Sequence, residues 1–544
     1  MRTFFLSLLR GGLAQAPALL GLVLLVMLFV LAPVILENQR TTQSWRRKLR
    51  KRRGSRKHLW LHFCVKQWIA RVDSTRVRPK WRRRIAWALF ALGERGLTRG
   101  DLELAALTYD YALKLVPAES LDASHNYRVL GATYFMLGDL EDARRAFKLA
   151  GRMRQLILAN GGMGSVRLLG PGWLVAIGHV CMIDFYFKMR ELGWLPEVCR
   201  IFMDQSLDNI PGGLIALEYG KYGLELAAHM NWPRVYDKAK LNTELAWAQL
   251  TKEQQFALRD DFWEYRLPDG EILPYTHGAA IVQQTWEAEG RGPLLKLDEQ
   301  KKSALRYLLD EMGIPADAWY VCLHVRETGF HANWNSKYPS ARDADIEDYQ
   351  VAIDAVRERG GWIVRVGDPS MKRLPKMERV YDYAHSHLKS QIGDLVLPAG
   401  CRFFLGTNSG YATVPGIYGV PNLLTNWIPV ALPLWFGQDV MIPKMFWNKA
   451  ENRFLSFEEL FGSKIGAMQN ILDFPAEIEV RNNSVEEIRA ATMEMLDRCE
   501  NSAVYTPDDD VLQKKYHDLA RKYGSYQGSR VGRDFLRGYR DLLG

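Results

Sequence analysis

Cysteine is scarce and scattered. Six occur in 544 residues, at 64, 181, 199, 322, 401 and 499. No two form a C-x-x-C pair, which removes the usual zinc frameworks. Several sit inside apolar runs and read as buried thiols in a reducing compartment, not as a disulfide scaffold. Acid is nearly missing from the head of the chain: residues 1–57 hold 12 Lys/Arg against the single acid Glu37. The remainder carries 60 basic and 61 acidic residues, so the net charge of +10 belongs to the head alone. That placement excludes a nucleic-acid reading, because the basic charge lies beside a hydrophobic segment and fits anionic membrane lipid.

Long apolar runs are also missing, with one exception. Leu13 to Leu36 has no charge, and its 24 residues exceed the roughly 20 that span a bilayer. It is too long for a cleaved signal peptide, and no small-x-small cleavage site follows. Two basic residues precede it and ten follow, so the positive-inside rule keeps the large carboxyl-terminal body in the cytoplasm. A single-pass protein of the cytoplasmic membrane is expected, with residues 1–57 as anchor and basic linker. The basic run also reads as a solvated linker, and both readings hold together.

Residues 58–160 read as an all-α region containing a repeat. Gly93 matches Gly131, Gly100-Asp101 matches Gly138-Asp139, and Ala105, Tyr109 and Ala112 match Ala143, Phe147 and Ala150, always 38 residues apart. Small residues at these places let paired helices approach closely, and the Gly-Asp step turns the chain between them. This resembles tetratricopeptide repeats, whose period is about 34 residues. Leu92-Gly93 and Leu130-Gly131 match that family's Leu-Gly pair, and Pro117 its closing proline. The region reads equally as a protein-binding surface and as a spacer between membrane and body.

The pattern changes after Gly161-Gly162. Trp173–Gly178 and Glu197–Met203 read as strands around a helix at Cys181–Leu192, the opening of a doubly wound α/β unit over 161–300. Residues 243–266 and 299–312 read as helices. A second unit, 301–544, starts at Trp319 with a strand ending in His324-Val325-Arg326, followed by a helix at Ile346–Arg359 and a strand at Trp362–Val366. Leu395–Leu397, Phe403–Leu405 and Val420–Leu424 read as further strands. Ser484 and Glu487 form a capping box for a helix to Arg498, and 507–523 is a last helix.

Two strand ends carry the chemistry. His324-Val325-Arg326-Glu327 presents a guanidinium, whose planar fork suits phosphate oxygens. Gly406-Thr407-Asn408-Ser409-Gly410 presents hydroxyls and main-chain N–H groups, with Thr407 or Ser409 placed to cap a following helix whose start would attract an anion. Pro415 falls inside that helix, which therefore begins near Thr413 if it is to keep its hydrogen bonds. In an open parallel sheet, ligands bind at the carboxyl ends of strands. Together the clusters suit a diphosphate-linked donor.

HVRE after one strand, VGDP after the next and FLGTNSG followed by GIYGVP resemble the motifs of the fucosyltransferase superfamily. The wider order is similar to a bacterial glycosyltransferase-like family found near surface-polysaccharide genes. The resemblance covers roughly residues 171–475 and implies a two-lobed GT-B architecture. It implies that Arg326 contacts the donor's β-phosphate, Asp368 lies near base or ribose, and Thr407, Asn408 and Ser409 hold the pyrophosphate, with His324, Gly406 and Gly410 shaping the site. It further implies an inverting transfer. Glu327-Thr328-Gly329-Phe330 replaces the superfamily's usual basic and acidic residues, so fucose and GDP do not carry over.

No metal is expected. No D-x-D stands where a metal-dependent glycosyltransferase needs one; Asp343-Ala344-Asp345 precedes a helix and reads as its N-cap, and Asp508-Asp509-Asp510 opens another. Arg326 and the helix start would offset the leaving diphosphate's charge instead. Glu327, His331, His179 and Asp184 are the candidate bases. The expected protein is a membrane-anchored glycosyltransferase that uses a nucleotide sugar and a glycan or lipid-linked acceptor, without a further cofactor. The alternatives are a non-catalytic repeat-type scaffold at the membrane and a membrane-surface adaptor acting through residues 40–57.

Overall fold

A computed structural model describes Ile69 and residues 79–99, 101–116, 121–137, 139–160, 166–169, 177–195, 200–204, 214–215, 218–222, 224–227, 259–260, 264–268, 272–327, 340–471 and 474–544. The expected membrane span 13–36, the basic run 40–57 and His331 lie outside these. Among the described residues no helix is long and apolar enough to cross a membrane. The chain divides into two compact units, Met1–Tyr134 and Phe135–Gly544. Both expected lobes, 161–300 and 301–544, fall within the second.

Among the described residues the repeat region contains α1 (Pro79–Arg99), α2 (Leu102–Leu113), α3 (Leu121–Met136) and α4 (Leu140–Asn160). In the first unit, α1 and α2 pack at close range for the reason the small residues give. A Cβ on Gly93 would lie 2.6 Å from the Tyr109 ring, and one on Gly96 would lie 2.9 Å from the Asp101 carbonyl oxygen. Asp101 starts α2 by accepting a hydrogen bond from the Leu104 N–H at 3.1 Å.

The second unit holds two parallel sheets. In the first, β1 (Val166–Leu169) lies between β2 (Arg200–Asp204) and β4 (Arg259–Asp260), with β3 (Leu224–Ala227) outside β2. All pairings are parallel. A short antiparallel hairpin of β5 (Glu264–Arg266) and β6 (Ile272–Pro274) leads into α6 (Tyr275–Ala288). Helix α5 (Val180–Glu191) follows a 3-10 turn at Ile177–His179.

The second sheet begins with β7 (Tyr320–His324), after α7 (Glu299–Glu311). The 3-10 turn Ile346–Tyr349 and α8 (Gln350–Glu358) lead to β8 (Trp362–Arg365) and β9 (Val380–Asp382). Helix α9 (Gln391–Gly400) returns the chain to β10 (Phe404–Gly406), then α10 (Thr413–Ile417), β11 (Asn422–Trp427) and β12 (Val440–Pro443). An antiparallel group of β13 (Met445–Asn448), β14 (Arg453–Phe454) and β15 (Ile478–Arg481) precedes α11 (Val485–Cys499) and α12 (Pro507–Lys522). Finally β16 (Arg530–Val531) joins the sheet, giving the order β9-β8-β7-β10-β11-β12-β16. Covered on both faces, its central strands are continuous apolar runs. Tyr320 to Leu323 and Phe404-Leu405 are fully buried, and truncating one such residue, as in Leu323→Ala, costs about 2–5 kcal/mol.

Three expected elements are corrected. Leu395–Leu397 is not a strand but the middle of α9: Ser390 caps the helix through the Gly393 N–H at 3.2 Å, and the apolar run is buried on all sides. Ile177-Gly178, expected as the end of a strand, lies in a 3-10 turn; residues 173–176 are outside the described set, and the strand is β1. The end of the expected helix 243–266 is extended in β4 and β5, while 243–258 is outside the described set. Among the described residues the four remaining cysteines are free, and Cys181, Cys322 and Cys401 are buried.

Candidate functional site

The strand order of the second sheet reverses between β7 and β10. From β7 the chain moves outward through β8 and β9, then returns to the other side of β7. At such a switch point the two following loops part and leave a crevice at the strands' carboxyl ends. Arg326 follows β7 and Thr407–Gly410 follows β10, so the topology brings together the two clusters that the sequence singled out.

The junction is tight. Parallel pairing sets Gly406 opposite His324, and a Cβ on Gly406 would stand 2.5 Å from the His324 carbonyl oxygen. The Thr407 N–H donates to that carbonyl at 3.2 Å, and the buried Thr407 Oγ1 accepts the Arg326 N–H at 2.9 Å. Thr407 thus sews the strand ends together. His324 is buried against Phe404 and Tyr411, and burial holds it neutral, with its pKa down at about 4. Its Nδ1 lies 3.2 Å from the Val366 carbonyl oxygen. A carbonyl only accepts, so Nδ1 carries the proton and Nε2 is left as an acceptor. In this state the ring supports the strand ends and does not donate to an anion.

Arg326 is buried, and its Nη1 is bonded to Asp343. Asp343 also accepts the Ser340 N–H at 3.2 Å, and the Arg326 carbonyl oxygen accepts the Ala344 N–H at 3.2 Å. Two more cations share this carboxylate's surroundings. Lys444 Nζ donates to the Asp343 carbonyl oxygen at 2.8 Å and to Asn482 Oδ1 at 2.7 Å. Burial pushes its pKa down to about 8, with Asp343 opposing and Arg326 adding. Arg342 is lowered to about 10, first by burial and then by the like charge of Arg326. Among the described residues three cations therefore surround one carboxylate. The sequence marked Asp343 only as a cap. Asp345 alone does that work, accepting the Glu347 N–H at 3.1 Å.

Glu327 points away from this cluster. Its Oε1 lies 3.4 Å from Nη2 of the fully buried Arg365, and its Oε2 accepts the Lys372 N–H at 2.9 Å. Asp368 makes a local turn by accepting the Ser370 N–H at 2.9 Å. Asn408 Nδ2 donates to the Ile428 carbonyl oxygen. Ser409 Oγ is buried with no hydrogen-bond partner. The expected helix start is corrected: neither Thr407 nor Ser409 caps a helix, because a 3-10 turn, Gly410–Ala412, intervenes and α10 has only five residues from Thr413. Pro415 is its third residue, where no intrahelical N–H is required. So short a helix adds little dipole, and charge for an anion must come from side chains.

The first lobe reaches this loop through main chain. A Cβ on Gly178 would lie 2.6 Å from Gly410 Cα, and one on Gly410 would lie 2.7 Å from Gly178 N. His179 therefore stands beside Gly410, at the start of α5. Asp184 does not face the crevice. It forms a fully buried ion pair with Lys188 at 2.6 Å and accepts the Tyr219 hydroxyl at 2.9 Å, which removes it as a base. Lys188 continues to Gln283 at 2.8 Å. Sequence reasoning missed Arg342 and Lys444, since a basic residue in a polar stretch carries no local sign of burial. Among the described residues no three His, Cys, Asp or Glu side chains are grouped to hold a metal ion.

No family model matches the chain, and no curated protein matches it. Among solved structures, the glycosyl transferase family 9 protein from Veillonella parvula DSM 2008 is similar over 61% of this chain and 98% of its own. Identity is 12% and the TM-score 0.32, a superposition too loose to bear on what this chain does.

Proposed function

We propose that the protein is a glycosyltransferase of GT-B type, anchored in the cytoplasmic membrane, that moves a sugar from a nucleotide-diphosphate donor to a glycan or lipid-linked acceptor in surface-polysaccharide synthesis. The observation that carries this reading is the meeting of Arg326 with the Thr407–Gly410 loop at the switch point of a seven-stranded parallel sheet. A second parallel lobe, with strand order β3-β2-β1-β4, supports the two-lobed reading.

In this reading Arg326 binds the donor diphosphate and stabilises the charge that grows on it as the glycosidic bond breaks. Gly406 and Gly410 keep the loop free of side chains, Ser409 Oγ supplies an unused hydroxyl, and Thr407 and Asn408 fix the loop's shape. Asp368, at the end of β8, serves the nucleoside. Side-chain cations supply the electrostatics, so the transfer needs no metal, and inversion at the anomeric carbon is what the resemblance to the fucosyltransferase superfamily implies. His179 is the favoured base for the acceptor hydroxyl, because its turn touches Gly410. Glu327 is placed less well, being engaged by Arg365.

The full chain, purified in detergent, should be stabilised against heat by at least one sugar nucleotide from a panel of UDP-, GDP-, ADP-, CMP- and dTDP-linked sugars. Stabilisation by none, together with no sugar-nucleotide hydrolysis, would leave the scaffold reading in its place. A carboxyl-terminal reporter active only outside the cytoplasm would overturn the proposed topology.

A further inference from the structure

Resting on that reading, we infer that Arg342 and Lys444 are diphosphate-binding residues, and that Asp343 is an internal anion which the ligand displaces. The inference comes from a charge count. Among the described residues Arg326 is paired with the Asp343 carboxylate, while Lys444 reaches Asp343 only at its carbonyl oxygen. Arg342, next to Asp343 in the chain, has no carboxylate within salt-bridge distance among them, which leaves two positive charges unmatched in a largely buried place. Among the described residues Lys444 has neutral acceptors alone for its ammonium, the Asp343 carbonyl oxygen and Asn482 Oδ1. Arg342 has a buried Nε with no hydrogen-bond partner. Its guanidinium is close enough to Arg326 to be disfavoured by it.

Unmatched buried charge of one sign is costly, and a fold built only for stability would supply a second carboxylate. A diphosphate ester brings two or more negative charges in one compact group. It would match the surplus that Asp343 leaves, and with Asp343 turned aside it would take the Arg326 fork as well. Asp343 meanwhile keeps Arg326 oriented, since its second oxygen is held by the Ser340 N–H. Arg326 is thus ordered in advance by a carboxylate that carries less charge than a diphosphate. No bond is made or broken in this exchange.

Isothermal titration of the full chain in detergent tests it with four probes: UDP, GDP, inorganic pyrophosphate and farnesyl diphosphate. Lys444→Met and Arg342→Gln should each weaken diphosphate binding about ten-fold or more, as loss of a charge-assisted contact does. Neither should lower the melting temperature, because each removes unmatched charge. Lys444→Arg should keep most of the affinity. Asp343→Asn should bind about three- to ten-fold tighter, with a competing charge removed. If the wild type binds UDP or GDP and Arg326→Ala weakens it, while Lys444→Met and Arg342→Gln bind as the wild type does, the inference fails and the donor reading stands. Weaker binding by Asp343→Asn overturns the role given to Asp343. Binding of farnesyl diphosphate but of neither nucleotide keeps the cluster and overturns the donor reading. No binding of any probe overturns both.

Discussion

Two buried arginines sit one strand apart and are treated in opposite ways. Arg365, at the end of β8, has two carboxylates: Glu327 at 3.4 Å and Asp382 at 3.5 Å. Asp382 is further held by the Leu374 N–H at 3.1 Å and by His385 at 2.8 Å. Arg326, just beyond the end of β7, shares its single carboxylate with Arg342 and Lys444. The first arrangement is slightly over-neutralised in charge, although Arg365 Nε itself has no hydrogen-bond partner. The second is under-neutralised and stays so only at a cost in stability. The difference separates a cation that holds strands together from one whose surroundings the proposed diphosphate would complete.

The strongest test of the comparison removes the over-neutralised member. Arg365→Met would leave Glu327 and Asp382 facing each other in a mostly buried place, and breaking such a pair costs about 3–5 kcal/mol. Urea unfolding should show a loss of that size. Arg326→Ala should behave in the opposite way, with unfolding little changed and donor binding weakened by about 1.5–3 kcal/mol, ten- to hundred-fold. Arg326→Lys should recover part of this, since an ammonium lacks the planar fork. A large stability loss in Arg326→Ala would erase the distinction between the two arginines.

Glu327 sharpens the boundary between the regions. If it belongs with Arg365, Glu327→Gln loses about 1–3 kcal/mol of stability and leaves donor affinity intact. If it is the base, kcat falls with stability unchanged, and a kcat measurement beside a melting curve separates the outcomes. The smallest effect is one of pH. Lys444 is faced by Asp343, Arg326 and Asn482, and its pKa lies at about 8 instead of its ordinary 10.5. Donor affinity should fall as pH rises through about 8 and the ammonium is lost, and Lys444→Arg should flatten that fall. This group's effect on stability has the other sign. Between about 8 and 10.5 the unfolded chain binds the extra proton, so folding is favoured as pH rises.

The second sheet was largely legible because its central strands are apolar runs ending abruptly in polar residues, and such runs survive without context. That Arg326 and the Gly406–Gly410 loop stand at neighbouring strand ends was legible for the same reason. Leu395–Leu397 was misread because a short apolar run beside a proline looks the same in a buried helix; the distinguishing signal, Ser390 as a cap, lies five residues earlier. Glu327 adjoins Arg326 in sequence, yet the two side chains serve different neighbours, which adjacency cannot reveal. Lys444 reaches the site from more than a hundred residues beyond Arg326, between β12 and β13, and no spacing rule connects them.

The contact between Gly178 and Gly410 has a consequence for how the crevice varies. It is main chain against main chain, so it works as a mechanical stop whose setting ignores the chemistry of the walls. Residues elsewhere on either segment can be exchanged while the spacing of the two main chains stays at its gauge. What cannot be exchanged is the stop itself: a methyl group on either glycine would force the two segments apart, and no second substitution at the partner glycine could restore the spacing, because it too can only add atoms.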